Sequence, residues 1–166
     1  MRRVTILSVF VCLLWLPFSA AGQNKYSATA QCAKPTVEHK LEIGDRPGHV
    51  FSITQGTCTY TTPATFASVQ TKEGKWTGFD EVSGNISTYR GVNIDLLSNG
   101  DKIFGRYEGS STSKDGKLVS GEEKWTLAGG TGKFKNIKGT GTCKGKGNPD
   151  GSSTWECSGD YQLSAK

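Results

Sequence analysis

The hydrophobic positions fall into two regimes along the chain. Residues 4–18 form a nearly continuous apolar run, broken only by Thr5, Ser8 and Pro17. Beyond it single apolar and aromatic residues alternate with Thr, Ser, Gly and Lys, and turn signals recur roughly every dozen residues. No 3.6-residue period is sustained. This alternation predicts an all-β, antiparallel sandwich or barrel, because a strand turns successive side chains to opposite faces. It predicts strands over 36–43, 49–55, 58–62, 69–82, 86–97, 102–110, 118–127, 138–146 and 154–163. Turns fall at Asn99-Gly100, at Asp115-Gly116 and at Asn148-Pro149-Asp150-Gly151. Asn-Gly and Asp-Gly mark tight hairpins because both residues tolerate positive φ.

The last hairpin can be paired outward from Asp150. Gly145 then meets Trp155, Cys143 meets Cys157, Gly141 meets Gly159 and Gly139 meets Tyr161. One face carries Lys, Thr, Glu, Ser and Asp. The other carries Trp155, Tyr161, two cysteines and a row of glycines, with each large ring opposite a residue that has no side chain. That second face is expected to be buried. Pairing around Asn99-Gly100 sets Leu96 against Ile103 and Asp95 against Phe104, with Asn93 against Arg106. Continuing around Asp115-Gly116 sets Trp125 against Arg106 and Glu123 against Glu108. Asn93, Asp95, Arg106, Glu108 and Glu123 are thereby expected on one side with Phe104, Trp125 and Leu127. A bulge in the Ser-rich tip would flip the third strand of this set.

The first regime has its own meaning. Arg2 and Arg3, the apolar run, and then Ser19, Ala20, Ala21 and Gly22 follow the order of a secretory signal peptide. The run is shorter than the roughly 20 apolar residues of a membrane-spanning helix. Residues 1–21 are expected to be removed, leaving 22–166 as a single domain, secreted or periplasmic, with no membrane segment. Cleavage removes Cys12 and leaves Cys32, Cys58, Cys143 and Cys157, an even count that reads as two disulfides in an exported chain. The hairpin register favours Cys143–Cys157, leaving Cys32–Cys58. Of the 20 Lys and Arg, two lie in the leader, and the remaining 18 against 15 acids leave a charge of about +3. No basic cluster is dense enough to suggest nucleic-acid binding.

Chemistry-bearing motifs are sparse. His39 and His49 lie ten apart and no C-x-x-C occurs, so no metal or cofactor is expected. Gly129-Gly130-Thr131-Gly132-Lys133 fails the phosphate-loop pattern, since Leu127 and Phe134 stand where Gly and Ser or Thr belong. Asn85-Ile86-Ser87 is a glycosylation sequon, relevant in a eukaryotic host. The polar cluster of Arg106, Glu108 and Glu123 is the candidate for catalysis. Neighbouring carboxylates raise one another's pKa while an arginine lowers them. The alternative is an outward charged face.

The run from Trp125 to Gly141, W-T-L-A-G-G-T-G-K-F-K-N-I-K-G-T-G, resembles a segment of the allene oxide cyclase and dirigent superfamily. There a strand ends in G-G-T-G-x-[FY] and a Gly-rich strand resumes after a short turn. Residues 100–109, G-D-K-I-F-G-R-Y-E-G, are similar to the preceding hairpin in secreted bacterial members of that group. The resemblance covers roughly residues 91–163. It implies an eight-stranded antiparallel barrel with a central cavity, in which the cyclases fold a reactive fatty-acid epoxide and the dirigents orient phenoxy radicals by confinement. No catalytic residue of that superfamily is matched position by position.

Three functions are compatible with these residues. The first is a secreted barrel binding a small apolar or aromatic ligand, with Phe104, Trp125, Trp155, Asn93 and Asp95 at the site. An interior rich in aromatics and glycine, without an apolar outer patch, favours it. The second is a cyclase-like isomerase using Arg106, Glu108 and Glu123, favoured by a pocket that holds a carboxylate of raised pKa. The third is an extracellular glycan- or protein-interaction module, favoured by a flat exposed Trp surface. A homo-oligomer is compatible with each.

Overall fold

The computed structural model describes residues 23–163; the expected signal peptide, and with it Cys12, lies outside them. Ten strands occur among the described residues: β1 (Asn24–Cys32), β2 (Val37–Glu42), β3 (His49–Thr62), β4 (Thr65–Phe66), β5 (Val69–Ser83), β6 (Ile86–Leu97), β7 (Lys102–Lys114), β8 (Lys117–Gly130), β9 (Lys138–Gly147) and β10 (Ser153–Gln162). A single 3-10 turn, Gly132–Phe134, separates β8 from β9. All pairings are antiparallel. The ring runs β3-β1-β10-β9-β8-β7-β6-β5 and closes by β5 on β3 along residues 73–83 and 49–59. This is a closed eight-stranded barrel. β1 and β2 share one edge of β3, with β2 continuing past the point where β1 ends. β4 is a two-residue appendage on β5.

Most expected strands are present within a few residues. Two of them, 49–55 and 58–62, are one strand that passes through Gly56. β1 was not expected. Its inward residues are Tyr26, Ala28, Ala30 and Cys32, and three small side chains in four give too weak an apolar alternation to announce a strand.

One end of the barrel is plugged. Phe66, Leu97, Ile103, Phe134 and Ile137 are all 0–1 % exposed there. Phe66 packs edge-on to Tyr161 and Phe134, with ring centroids 4.9 and 6.4 Å away. The turn that carries Phe66 has Ala67 and Ser68 at φ 44 and 69 degrees, the two positive values of a tight hairpin. Tyr161 holds that turn in place by accepting a hydrogen bond from the Ala67 amide at 3.1 Å. Among the described residues no such plug closes the other end, where inward Val82, Ser87, Ser111 and Trp155 are half-buried.

Both disulfides join directly paired residues, Cys32–Cys58 between β1 and β3 and Cys143–Cys157 between β9 and β10. All four cysteines face inward. The register of the last hairpin is the one read from the sequence, from Lys146 against Thr154 to Gly139 against Tyr161. Two such bridges fit a chain that matures in an oxidising compartment. Among the described residues no helix is long and apolar enough to cross a membrane.

At the unplugged rim the chain is clasped by His49. The ring is buried, with Nδ1 2.6 Å from Asp45 Oδ1 and Nε2 3.0 Å from Glu81 Oε1. Both nitrogens face carboxylates, so the imidazolium form donates to both. The bonds to Asp45 and then Glu81 raise the His49 pKa above its ordinary 6.5 against the opposing effect of burial. The same bond to His49 is the main cause of a lowered Asp45 pKa. A raised histidine pKa contributes stability in full below the ordinary value, lost as pH rises through the folded value. The lowered Asp45 contributes stability above its ordinary 3.8, lost as pH falls through its depressed value. Thermal melts across pH are expected to show His49→Gln abolishing part of the wild-type decline above pH 6.5. Parallel curves for the two proteins would contradict the clasp.

Candidate functional site

The inward positions of the ring strands define the site. They comprise the even-numbered residues of β1 and β3, those of β5 from Gly74 onward, and the odd-numbered residues of β6 to β10. Their large side chains are aromatic: Tyr26, Tyr60, Trp76, Tyr89, Tyr107, Trp125, Trp155 and Tyr161. Several have a glycine of a neighbouring strand beneath them. A Cβ built on Gly145 would lie 2.7 Å from the Trp155 ring, and one on Gly56 would lie 2.6 Å from the Trp76 ring. Each ring therefore occupies the place of its neighbour's missing side chain and lies against the wall. Tyr26, Tyr60, Trp76, Asn93, Tyr107, Glu123 and Trp155 point inward yet are half-buried rather than sealed. The inward surfaces of these side chains above the plug therefore stay partly accessible.

Three carboxyls face this space. Asp95 is 4 % exposed; it accepts hydrogen bonds from Tyr60 Oη at 2.7 Å and Asn93 Nδ2 at 3.1 Å. Burial raises its pKa to about 6 even though both bonds lower it. Asp80 accepts from Thr54 Oγ1 at 3.0 Å, and burial raises its pKa as well. Glu123 has no hydrogen-bond partner among the described residues, and burial alone pushes its pKa up to about 7. Tyr26, Tyr89 and Tyr107 are raised by burial first, and then by the charge of Glu123 and the aspartates, so they remain neutral phenols. A carboxylate oxygen of Glu123 and the sulfurs of Cys143 and Cys157 lie within 4.8 Å of one another. Those sulfurs are bonded to each other and offer no thiolate to a metal.

The structure turns Asn93, Asp95, Glu123, Trp125 and Trp155 to the inward face. It turns Phe104, Arg106 and Glu108 to the outer face, so the arginine–carboxylate group read from the sequence is not assembled. Arg106 stands across from Val92 and Thr126, Glu108 lies between Arg90 and Lys124, and Phe104 is 36 % exposed beside Ile94. The cause is a turn. Gly100 donates to Leu97 O, Leu97 donates to Asp101 O, and Gly100 alone takes a positive φ, 87 degrees. This is a three-residue loop rather than a two-residue Asn-Gly hairpin. Asp95 consequently meets Ile103, one residue away from the expected register, and a one-residue slip exchanges the two faces of a strand. A bulge at Thr112/Ser113 then shifts β8 by one residue the other way and returns Glu123 and Trp125 to the lumen.

Tyr26, Tyr60, Trp76, Asp80, Tyr89 and Tyr107 were missed as lumen residues. The one-residue slip puts Tyr107 on the other face, Tyr89 lies further along the same face of β6 as Asn93, and the other four lie on strands whose partners the sequence did not reveal. All three described tryptophans face inward, so no flat Trp surface exists among the described residues. An apolar patch that the ligand-binding reading did not expect covers the outer face of β3, β5, β6 and β7, with Ile53 51 % and Val92 50 % exposed. An outer groove of about 950 Å³ crosses β6 to β9 between rows of charged side chains such as Arg90, Glu108 and Lys124. Phe51 and Phe79 also line it, and Tyr89, Glu123 and Cys143 border it from strands whose odd-numbered side chains turn inward.

The fold and this interior define a small antiparallel β-barrel with an aromatic, acidic lumen. No family model and no curated protein matches the chain. Among solved structures the chain is similar to a pterocarpan synthase dirigent protein, at 14 % identity and a TM-score of 0.49, with 97 % of this chain and 98 % of that chain covered. A likeness of that degree carries no functional argument, so function must be argued from the residues of this chain.

Glu123 gives the test of the site. Its raised pKa means that the folded protein holds the proton more tightly, so stability falls as pH rises from 4.5 to about 7. Glu123→Gln is expected to match wild type at acid pH and to exceed it by roughly 1–3 kcal/mol above neutrality. Carboxyl NMR should place the wild-type Glu123 midpoint near 7. An ordinary Glu titration would remove Glu123 from the lumen.

Proposed function

We propose that the protein is exported and holds a small apolar or aromatic molecule in the barrel lumen. The observation that carries this reading is the set of inward aromatic residues that stay half-buried, Trp76, Tyr107 and Trp155 above all. A side-chain-filled barrel would seal such rings, whereas an eight-stranded barrel is wide enough to hold one small ligand. Apolar walls with a few fixed polar groups are the usual composition of small-molecule sites. Here the fixed groups are Asp95, braced by Tyr60 and Asn93, and the unbraced Glu123. The leader-like N-terminus and the two disulfides support export.

A second reading, isomerisation by confinement, has one observation in its favour. A carboxyl with a pKa of about 7 can give and take a proton at neutral pH. Glu123 would be its acid–base group, with Tyr89 and Tyr107 as neutral donors beside it. Arg106 and Glu108 have no part in it, because they face solvent.

Binding of the neutral apolar fluorophore N-phenyl-1-naphthylamine tests the lumen. Saturable enhancement at one site is expected, abolished when Ser111→Trp fills the unplugged end and unchanged when Phe104→Ser alters the outer patch. Absence of saturable binding, or loss with Phe104→Ser but not with Ser111→Trp, would overturn the reading.

A further inference from the structure

We propose that the lumen selects an organic cation, an aromatic or alkyl amine whose charged nitrogen is countered by Glu123. This rests on the lumen as a ligand site and adds the charge of the ligand. Charge is segregated across the barrel wall. The inward positions of the eight ring strands hold Asp80, Asp95 and Glu123 and no Lys, Arg or His. The basic residues of the same strands, among them Lys75, Arg90, Arg106, Lys124, Lys144 and Lys146, all point outward. Strand β9 shows this within one segment, K-G-T-G-T-C-K-G-K-G, with its lysines outside and its glycines inside. A chain of positive net charge has thus built an interior in which every ionisable carboxyl lacks a cation.

Two of the three carboxyls are already engaged. Asp95 accepts from Tyr60 and Asn93, and Asp80 accepts from Thr54. Glu123 accepts from nothing among the described residues. The groups around it are the Cys143–Cys157 disulfide beside it and the phenols Tyr26, Tyr89 and Tyr107 from β1, β6 and β7. None of them supplies a positive charge. Aromatic faces next to an unpaired carboxylate are the setting in which an ammonium group is held by both charge and ring quadrupole. A second, independent vacancy lies two residues further along β8. Trp125 faces inward at 8 % exposure, and its buried Nε1 hydrogen has no acceptor among the described residues. A ligand oxygen beside the cationic nitrogen would satisfy it. Towards the unplugged end Lys40 of β2 stands on the lumen side of the sheet and is held by Glu38 at 3.0 Å, while His49 and Arg46 at the rim are engaged by Asp45 and Glu81.

Three near-isosteric probes separate charge from shape: 3-phenylpropylamine, 3-phenylpropan-1-ol and 3-phenylpropanoate. Each is titrated into ¹⁵N-labelled protein at pH 7.5, read by shifts of the Tyr107, Glu123 and Trp155 amides and the Trp indole signals. The amine is expected to bind about tenfold or more tighter than the carboxylate, with the alcohol between them. Glu123→Gln should bring the amine to within about threefold of the alcohol. Equal or tighter binding of the carboxylate in wild type overturns the proposal without any variant, as does an amine preference that survives Glu123→Gln. If the alcohol binds with no preference for the amine, the lumen reading stands and the charge inference falls. If none of the three shifts a lumen residue, the lumen reading falls with it.

Discussion

A large aromatic ring lying over a glycine on the neighbouring strand is the contact on which the rest of this barrel depends. Glycine in a strand costs about 0.5–1 kcal/mol relative to alanine, because it orders more backbone freedom and packs no side chain. A chain that places glycine on the inward face of β9 four times, at residues 139, 141, 145 and 147, must recover that cost elsewhere. It does so by giving each ring a flat seat. Trp155 spans Gly145 and Gly121, Trp125 covers Gly141 and Gly159, and Trp76 covers Gly56. With side chains in those places the rings would be driven toward the axis and would fill it. Seated on glycine, they lie along the wall above the Phe66 plug.

The same alternation sorts the charges. Because successive residues of a strand face opposite ways, a K-G-K-G pattern places lysine in water and glycine under a ring in one stroke. The lumen inherits the opposite sign. Burial raises the pKa of all three of its carboxyls, and the phenols around them keep their protons. Aromatic wall, acidic interior and basic exterior are thus consequences of one pattern rather than separate features.

How much of this was legible depended on the turns. The β9–β10 loop and the β6–β7 loop have the same hydrogen bonding: a residue donates to the carbonyl four positions on, and a glycine of positive φ precedes that position. In the first, centring on Asp150 happened to imply the correct three-residue loop, and with it every pair down to the Cys143–Cys157 disulfide. In the second, Asn99-Gly100 looked like a two-residue hairpin, and the register of β7 was lost by one. That slip alone moved Arg106 and Glu108 into a site where they do not belong and hid Tyr107. The bulge near Thr112 cancelled the slip for β8, so Glu123 and Trp125 were placed correctly although the intervening strand was not. Local turn chemistry does not distinguish two central residues from three when the same Asn-Gly pair suits both. Closure of the ring was likewise beyond local reading: β1 is built from small residues, and the β3–β5 pairing joins strands with the β4 appendage between them.

The seat of ring on glycine is tested most directly by a double-mutant cycle at Gly145 and Trp155, with stability measured by chemical denaturation. A methyl group at residue 145 would meet the ring at 2.7 Å and nothing nearer. Gly145→Ala in the presence of Trp155 is therefore expected to destabilise by about 1–3 kcal/mol. In a Trp155→Ala background the same change should be neutral or stabilising by up to about 1 kcal/mol, as alanine replaces glycine in a strand. An equal cost of Gly145→Ala in both backgrounds would mean that the glycine serves the backbone and not the ring, and the account of the open lumen would fail.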